Sequence, residues 1–501
     1  MHLAPLAPTQ LSAALAPRGF GRVKLNYGGG GATALRQMSR SRLDEYRQRV
    51  LEGSIITSLL RLGAPPMAAQ LAHVAYSVLN SLWLTLYSEV AIAVPRQVFP
   101  VTFAFNALMI MLTTAGTSLV SQYVGARMYG SVKAEASRLF TAALLFSSTS
   151  AAAFYALRPL VFGKLVASPP EILDEVMRYT AVSAANIVLS SVSSILTVVV
   201  TSVGETRLTS AINVAAVAVN AVLDPVFILG LGPVPRMGAM GSALTDTIGL
   251  AISSTSLFLL IRRRILEITP APTLSFTQQW FATVARIGGP VSLTMLTNSL
   301  AFMTQVRMVN EFGVHVATAY SIGFIVLDIV DAAMWGLSGS IAIIVGQCLG
   351  AGELKRAKEA AIKGSLFTAS LVALGALAMY PVKENVVRVF TSNPAVVKHS
   401  LEFLDTILIG LPSFALFIAG NNAARGAGRT LIPTAIGLAR LWLVRIGLSY
   451  VLAFALGLGA AGIWLGIMLS NVAGGIPVLA WLALADWAKP VINDINQSKR
   501  S

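Results

Sequence analysis

Long apolar stretches, separated by short charged loops, run through almost the whole chain and restrict its fold more than any other feature. Each is as long as the roughly 20 residues that a helix needs to cross a bilayer. Charged residues make up 12% of the sequence, against roughly 25% in soluble domains. The sequence therefore predicts an all-α membrane protein with twelve transmembrane helices, near residues 55–86, 94–123, 135–163, 177–203, 210–230, 239–261, 283–312, 315–348, 358–382, 398–424, 430–457 and 460–485.

The distribution of basic residues predicts the orientation in the membrane. Twelve spans put both termini on one side, and that side carries 26 lysines and arginines, whereas the opposite side carries nine. Because basic loops stay in the cytoplasm, both termini are expected there, in a multi-pass protein of the cell membrane. The net charge of +15 is spread over these loops instead of one domain, which argues against a nucleic-acid partner.

The spans divide the chain into five segments. Residues 1–50 contain eight basic residues and no continuous apolar run, so they are expected to be disordered and not a cleaved signal peptide. Met1 and Met38 both remain candidates for the translation start. The other segments are an N-terminal lobe at 51–261, a cytoplasmic linker at 262–282, a C-terminal lobe at 283–486 and a cytoplasmic tail at 487–501.

The two halves of the chain are related in sequence. Arg61-Leu62-Gly63-Ala64-Pro65 corresponds to Arg286-Ile287-Gly288-Gly289-Pro290, 225 positions later. Three further pairs of short motifs recur at offsets between 221 and 225. Since each repeat holds an even number of spans, both copies have the same orientation, and transporters of this design bind their substrate between the halves.

The fifth span carries a carboxylate directly before a proline, Asp224-Pro225. An ionised Asp is costly in the bilayer core and rarely faces lipid. Pro225 removes one backbone donor and is expected to act as a hinge. Asn213, Asn220 and Asp224 follow at spacings of seven and four, so they share one helical face. That face is either the wall of a hydrated site or a structural contact between helices.

Two other spans of the same lobe offer candidates for the same cavity. A polar face on the first span contains Pro65, Gln70, His73, Tyr76, Ser77 and Asn80. It either lines a cavity beside Asp224 or forms a hydrogen-bonded seam between helices. On the fourth span Asn186 is expected to line the cavity, whereas its Ser and Thr neighbours are expected to pack.

In the C-terminal lobe, Asp328 and Asp331 lie three residues apart within the eighth span. Intramembrane acids face water or each other. They are therefore expected either to attract a cationic substrate or ion, or to lie solvated at a cavity mouth without a role. Asn298 on the seventh span is a candidate for the same cavity.

Several function classes are excluded by composition and motifs. The single cysteine and four scattered histidines give neither a disulfide nor a metal-binding cluster. The sequence contains no G-x-x-x-x-G-K-[ST] motif and no enzyme-like set of nucleophile, base and acid. The chain is therefore expected to be no enzyme, to need no cofactor or metal, and to use an ion gradient as its energy source.

A repeat of six plus six spans with VNAVLDP in the fifth resembles the multidrug and toxic compound extrusion (MATE) family, most closely its DinF-like branch. The motifs VGQCLGAGELKRA, RGAGRTLIPTAI and AAGIWLGIMLSN extend the likeness over about residues 45–487. The resemblance implies a V-shaped exporter of two lobes that exchanges H+ or Na+ for a bulky, often cationic, organic compound.

One position departs from the family pattern. Similar proteins carry an acid on the first span in a pattern like Tyr-Asn-x-x-Asp, where this chain has Tyr76-Ser77-Val78-Leu79-Asn80. If the family's proton site is a pair of carboxylates in this lobe, only Asp224 is left. Burial, and not a like-charged neighbour, would then have to favour its protonation.

The leading hypothesis is a monomeric exporter that works by alternating access in contact with membrane lipid. Asp224 is the expected site for H+ or Na+, shaped by Asn220, Asn80, Tyr76 and Asn186. One alternative is a flippase for lipids or lipid-linked compounds, for which a basic central cavity is expected. The other alternative is a membrane sensor that does not transport.

Overall fold

The computed structural model describes residues 31–88, 91, 93–166 and 168–492, and long helices dominate this part of the chain. Twelve of them correspond to the predicted spans. The first repeat has α1 (Gly31–Leu51), α2 (Ile55–Tyr87), α3 (Ala93–Gly125), α4 (Tyr129–Leu160), α5 (Pro170–Val203), α6 (Arg207–Leu229) and α7 (Ala239–Arg264). The second has α8 (Gln278–Asn310), α9 (Val314–Gly350), α10 (Leu354–Met379), α11 (Lys383–Phe390), α12 (Pro394–Ala427), α13 (Leu431–Ala439, continued by π-helical turns to Ala455) and α14 (Ala460–Leu484).

Length and apolarity alone mark nine helices of the described chain as able to cross a membrane. The other three predicted spans, α2, α8 and α9, have 33, 33 and 37 residues. At about 1.5 Å per residue they reach about 50 Å, well beyond the hydrocarbon core of about 30 Å. Helix α9 contributes two shorter apolar helices, Val314–Ile325 and Met334–Gly350, in its described residues. Several polar residues of α2 lie at the site described below.

The turns between equivalent helices have the same backbone conformation in both repeats. Gly204 after α5 and Gly428 after α12 have φ angles of +110° and +69°. Glycine adopts this left-handed conformation without steric cost, and so ends both helices in the same way. The repeat predicted from short motifs is therefore also present in the backbone.

Helix α1 corrects the prediction that residues 1–50 are disordered. Residues 1–30 lie outside the described part of the chain, but the rest of this segment is helical, with Leu43 and Tyr46 buried. The Arg47 Nε atom donates to a backbone carbonyl at the end of α3, at 2.7 Å. The prediction was wrong because the few apolar residues of α1 are spread among charged ones, so hydropathy alone did not reveal a packed helix.

The connection between the repeats is shorter than the predicted 262–282. Helix α7 continues to Arg264 and α8 begins at Gln278. The connection also packs on the N-terminal lobe, because the Ala271 backbone N–H donates to the Ser137 hydroxyl of α4 at 3.0 Å. The two repeats are therefore joined by a fixed segment.

Two buried glutamines, related by the repeat, join the lobes. Gln122 of α3 donates to the Gly426 carbonyl of α12 at 3.1 Å. Gln347 of α9, 225 positions later, donates to the Ser202 and Val203 carbonyls of α5 at 2.8 and 3.1 Å. Each glutamine thus reaches the last turn of a helix in the opposite lobe. We call this contact the glutamine joint.

Small residues let the lobes approach closely beside this joint. A Cβ atom added to Gly288 of α8 would lie 2.1 Å from the Met111 carbonyl oxygen of α3. Its neighbour Gly289 has no atom within 4 Å of such a Cβ position. Close backbone contact at small residues is a common way to pack helices in membranes.

We expect Gly288→Ala to lower the midpoint of thermal unfolding, because the added methyl group must push α3 away and overpacking costs about 1–3 kcal/mol. The matched control is Gly289→Ala, which brings the same gain in helix propensity without a clash. It should leave the midpoint unchanged or raise it. Tryptophan fluorescence of the purified protein in detergent measures both, and equal midpoints for the two variants would contradict the close contact.

Candidate functional site

A cavity of about 630 Å³ lies within the N-terminal lobe, between α2, α3, α5, α6 and α7. Its wall is largely apolar, with a limited set of polar side chains that point inward. These include Gln70, His73, Tyr76, Asn106, Asn186, Asn213, Asn220 and Asp246. A mostly apolar cavity with a few convergent polar groups is the common form of a small-molecule site.

Asp246 of α7 provides the carboxylate of the cavity wall. Its Oδ1 atom accepts hydrogen bonds from the Tyr76 hydroxyl at 3.1 Å and from Asn220 Nδ2 at 3.2 Å. These donors belong to α2 and α6, so three helices converge on one carboxylate oxygen. A charged carboxylate inside a lobe persists only where such donors, a cation or a proton compensate for the lost water.

Asp224 of α6 lies close to Asp246 and is fully buried. Its Oδ1 atom accepts a 2.5 Å hydrogen bond from the Thr245 hydroxyl, on the residue before Asp246. The Tyr76 hydroxyl lies within interaction range of this carboxylate as well, although the Oδ2 atom accepts no hydrogen bond of ordinary geometry from the described residues. A buried acceptor without a donor is unfavourable, and two negative charges this close also repel each other. One proton or cation at the pair relieves both costs.

Asn220 carries another buried oxygen on α6, one helical turn before Asp224. Its amide lies against the backbone of α7, where a Cβ on Gly249 would be 2.2 Å from Asn220 Oδ1. That oxygen also has no hydrogen-bond partner in the part of the chain that the structure describes. Oxygen atoms of carboxylates and amides suit a small hard cation as well as a proton. The described residues contain no cluster of three or more His, Cys, Asp or Glu that would hold another metal.

Asp246 shows that the expectation of a single carboxylate in this site was wrong. The first span does carry Asn80 in place of an acid, but the sixth span supplies the second carboxylate. A signal was present in the sequence, because Asp246 is the one charged residue in the predicted span 239–261. Sequence reasoning missed Asp246 because it considered only the first-span position of the family's usual acid, which is Asn80 here.

Asn80 and Asn186 lie beside the carboxylate pair. The Ser242 hydroxyl donates to Asn80 Oδ1 at 2.9 Å. The single proton of the Thr245 hydroxyl is shared between Asp224 and the Ser242 carbonyl, 2.8 Å away, which links Asn80 to the pair indirectly. Asn186 lines the cavity and accepts a 2.6 Å hydrogen bond from Thr247. The roles predicted for both asparagines remain predictions.

The polar face of the first span lies where the sequence placed it, with one correction. Gln70, His73 and Tyr76 line the cavity, but the proline in its wall is Pro66 and not Pro65. Neighbouring residues of a helix point in different directions, so only one of the two can face the cavity. Pro225 lies within α6, and its role as a hinge remains a prediction.

In the C-terminal lobe, two arginines lie near Asp331, whereas the sequence suggested acids without a nearby cation. Asp331 is half-buried and lies within the electrostatic reach of Arg440 and Arg445 of the eleventh span, both 7% exposed. The Asp328 side chain lies outside the described part of the chain. Asn298 is half-buried in α8, in the opposite lobe from the cavity. Whether these residues bind substrate remains a prediction.

A π-helical stretch, Arg440–Leu448, explains why the two arginines come together. In a π-helix residues five apart are hydrogen-bonded, and so face the same side. Arg445 Nε donates to Gln305 Oε1 at 2.9 Å, and the Arg440 guanidinium lies 4.1 Å from the centre of the Phe417 ring. Sequence reasoning assumed an α-helix, in which this pair does not share a face.

We expect Asp246 to react with dicyclohexylcarbodiimide, an apolar reagent for protonated carboxyl groups, in preference to Asp224. Asp246 is partly exposed at the cavity wall, whereas Asp224 has no exposed surface. Peptide mass spectrometry of the labelled protein locates the adduct.

The control for this labelling is Asp246→Asn, which should abolish the adduct in the peptide from α7 without creating one at Asp224. An adduct confined to Asp224 would contradict the arrangement of the two carboxylates. The amount of adduct should also fall as the pH rises, since the reagent reacts only with protonated carboxyl groups.

Comparison with known proteins identifies the family. The MatE family model matches residues 65–226 and 290–451, which lie in the two repeats. The FAD transporter of Shewanella oneidensis is 26% identical over 444 residues, which cover 86% of this chain and 95% of that protein. The probable multidrug resistance protein NorM of Pseudomonas aeruginosa is 27% identical over 441 residues, covering 85% of this chain and 87% of that protein.

Solved structures share the fold. The crystal structure of MATE in complex with MaD3S matches with a TM-score of 0.80 at 18% identity, over 87% of this chain and 97% of that one. A mutant of the Vibrio cholerae MATE transporter VcmN matches with a TM-score of 0.80 at 18% identity, over 90% and 99%. These matches confirm the predicted V-shaped, two-lobe architecture. With both repeats matched, the chain belongs to the MatE family of multidrug and toxic compound extrusion transporters.

Proposed function

We propose that this protein is a secondary active antiporter that extrudes bulky organic compounds in exchange for H+ or Na+. We further propose that the coupling ion binds at the Asp224–Asp246 pair. The observation that carries this proposal is the convergence of α2, α6 and α7 on two neighbouring carboxylates inside one lobe. Such a site is costly to build in a membrane, and intramembrane acids are typical of ion and proton pathways.

Two buried oxygens on successive turns of α6 support this position for the ion. Asp224 Oδ2 and Asn220 Oδ1 are buried and have no hydrogen-bond partner among the described residues. Tyr76 joins this group to the cavity, since its hydroxyl bonds Asp246 and its ring forms part of the cavity wall. An ion that binds here removes the net negative charge of the wall, and thereby weakens the attraction for a cationic substrate. The ion and the cationic substrate therefore compete for the same negative charge, and this competition exchanges one for the other.

The cavity suits a bulky organic compound with a positive charge. Its wall combines Asp246 with amide groups and the rings of His73, Tyr76 and Phe99. Aromatic faces and a carboxylate together attract an organic cation. The names of two similar proteins, a probable multidrug resistance protein and an FAD transporter, are consistent with organic compounds as substrates.

In this account the protein works as a monomer in the cell membrane, surrounded by lipid. Both termini lie in the cytoplasm, as the excess of basic loops predicts. The glutamine joint then closes the cytoplasmic side, and the state described here is the one that loads the coupling ion or releases substrate on the outer side. Opening of the joint would expose the cavity to the cytoplasm.

Export from proteoliposomes tests the proposal. The full chain is reconstituted with a fluorescent lipophilic cation, and efflux is recorded with an H+ gradient and, separately, with a Na+ gradient. We expect one of the two gradients to drive efflux. Both Asp224→Asn and Asp246→Asn should reduce this efflux to the rate of dye-loaded vesicles without protein. Each substitution removes one of the two charges that the coupling ion neutralises.

The matched control is Asp174→Asn, since Asp174 is exposed and pairs with Arg178 outside the cavity. This variant should export like the natural protein. Full efflux by Asp246→Asn would remove Asp246 from the mechanism. Transbilayer movement of labelled lipid with either gradient, without efflux of the cation, would favour the flippase instead, and activity towards neither would favour a sensor.

A further inference from the structure

The cavity of the N-terminal lobe continues beyond the carboxylate pair, towards the end of the lobe that carries the glutamine joint. Its wall includes Ser183 and, 18 residues later, Thr201 in the last turn of α5. At about 1.5 Å per residue these two positions lie about 27 Å apart along the helix. The cavity therefore extends over a length close to the roughly 30 Å of a hydrocarbon core.

The part of the cavity next to the glutamine joint has a wall rich in hydroxyl groups. From Asn213 to the start of α6, and from Ser193 to the end of α5, the two helices present only Ser and Thr to the cavity below that asparagine. We call this part the hydroxyl arm. Its hydroxyl-bearing residues are Ser193, Thr197, Thr201, Thr209, Ser210 and Ser253.

The hydroxyl groups of the arm offer oxygen lone pairs to the cavity. Thr201 donates its one hydroxyl proton to the Thr197 carbonyl at 2.8 Å. Thr209 donates in the same way to the Glu205 carbonyl at 2.9 Å. A hydroxyl whose proton is bonded within its own helix can still accept hydrogen bonds. The arm is therefore suited to a cation, or to water molecules that carry a proton.

A chain of hydrogen bonds joins three helices at the start of the arm. Ser253 of α7 donates to Asn213 Oδ1 of α6 at 2.9 Å. Since that proton is used, Ser193 of α5 donates to Ser253, at 3.1 Å. Asn213 lies seven residues, or two helical turns, before Asn220 on the same face of α6.

Asn220 connects the carboxylate pair with this part of the cavity. Its Nδ2 atom donates to Asp246 at 3.2 Å, and its side chain lines the cavity. The residue is 7% exposed, and its Oδ1 atom has no hydrogen-bond partner within the described ranges. A buried oxygen without a donor is costly unless an ion or water reaches it. This oxygen therefore indicates that the cavity wall between the pair and the arm is a place for such a ligand.

The far end of the arm is covered by other parts of the chain. Gln347 of the C-terminal lobe donates to the carbonyls of the last two residues of α5. Helix α1 lies over the following turn, since a Cβ on Gly204 would be 3.3 Å from the Val50 side chain. Thr209, at the end of the arm, is only 2% exposed. The glutamine joint is therefore part of what closes the arm in this state.

We propose that the hydroxyl arm is the route by which the coupling ion leaves the Asp224–Asp246 pair for the cytoplasm. This rests on the exchange proposed above, in which the ion binds at that pair. The ion then has a path of its own within the N-terminal lobe, while the substrate passes between the lobes. Because Gln347 holds the turn at its end, the route opens only when the glutamine joint opens. In the state described here the ion is kept from leaking through the lobe.

Efflux from proteoliposomes separates the route from the ion site. In Thr201→Val/Thr209→Val each hydroxyl is replaced by a methyl group of similar size. We expect gradient-driven efflux of the lipophilic cation to be at least about tenfold slower, because an interaction with a charged group is lost at two positions. The number of ions that substrate displaces from the purified variant in detergent should equal that of the natural protein, since the carboxylate pair is unchanged.

Two matched variants show whether the hydroxyl groups are responsible. Thr201→Ser/Thr209→Ser keeps both hydroxyls and should export at the rate of the natural protein. Thr149→Val/Thr304→Val removes two exposed hydroxyls that also donate to carbonyls of their own helices, on α4 and α8. This variant should export normally as well.

Gln347→Ala tests the closure of the arm. The substitution removes both hydrogen bonds to the last turn of α5. It should increase the leak of the coupling ion into proteoliposomes without substrate, recorded with an enclosed dye sensitive to H+ or Na+. Adding Thr201→Val/Thr209→Val to this variant should reduce the leak again, because the ion then crosses through the arm.

The results distinguish a wrong route from a wrong exchange. Normal efflux by Thr201→Val/Thr209→Val, with efflux abolished by Asp224→Asn, would leave the exchange intact and overturn the route. Normal efflux by Asp224→Asn would overturn both. An equal loss in the serine variant, or loss of ion displacement in the valine variant, would assign the effect to packing or to the ion site and overturn the route. So would a Gln347→Ala protein without a leak, or with a leak that the valine substitutions do not reduce.

Discussion

Placing two carboxylates inside one lobe of a membrane protein is the constraint on which the rest of this structure depends. Asp224 is fully buried, and among the described residues Tyr76 and Asn220 donate to Asp246. A proton or cation bound at the pair would therefore lower the electrostatic cost of holding two carboxylates there. Its surroundings follow from this requirement. The Thr245 hydroxyl donates to Asp224, and the next residue in the chain is Asp246. Gly249 leaves room for the Asn220 amide.

The same helices connect this site to the contact between the lobes. Helix α5 lines the cavity with Asn186, and its last turn accepts the hydrogen bonds of Gln347 from the opposite lobe. A movement of α5 would therefore act directly on the hydrogen bonds of the glutamine joint. Gln122 makes the equivalent bond in the other direction, and also holds the chain after α14. The glutamine joint and the chain after α14 are therefore connected through one side chain.

Much of the fold could be predicted because span length and charge asymmetry act on each helix separately. The twelve spans and the duplication needed no knowledge of contacts between helices. The site was less accessible. Asp224 was found through its proline, but Asp246 belongs to a helix whose approach to α6 no sequence pattern shows. The pairing of Arg440 with Arg445 depends on a π-helical turn, which α-helical spacing hides. The packing of α1 likewise depends on a partner surface that hydropathy does not describe.

If Asp224 and Asp246 form one site for one ion, which the substrate displaces, substrate binding must release that ion. A pH indicator, or a Na+ electrode, records the release from the purified protein in weakly buffered detergent solution. We expect one ion per protein molecule, and none from Asp224→Asn or Asp246→Asn although both still fold. Undiminished release from either variant would contradict a shared site.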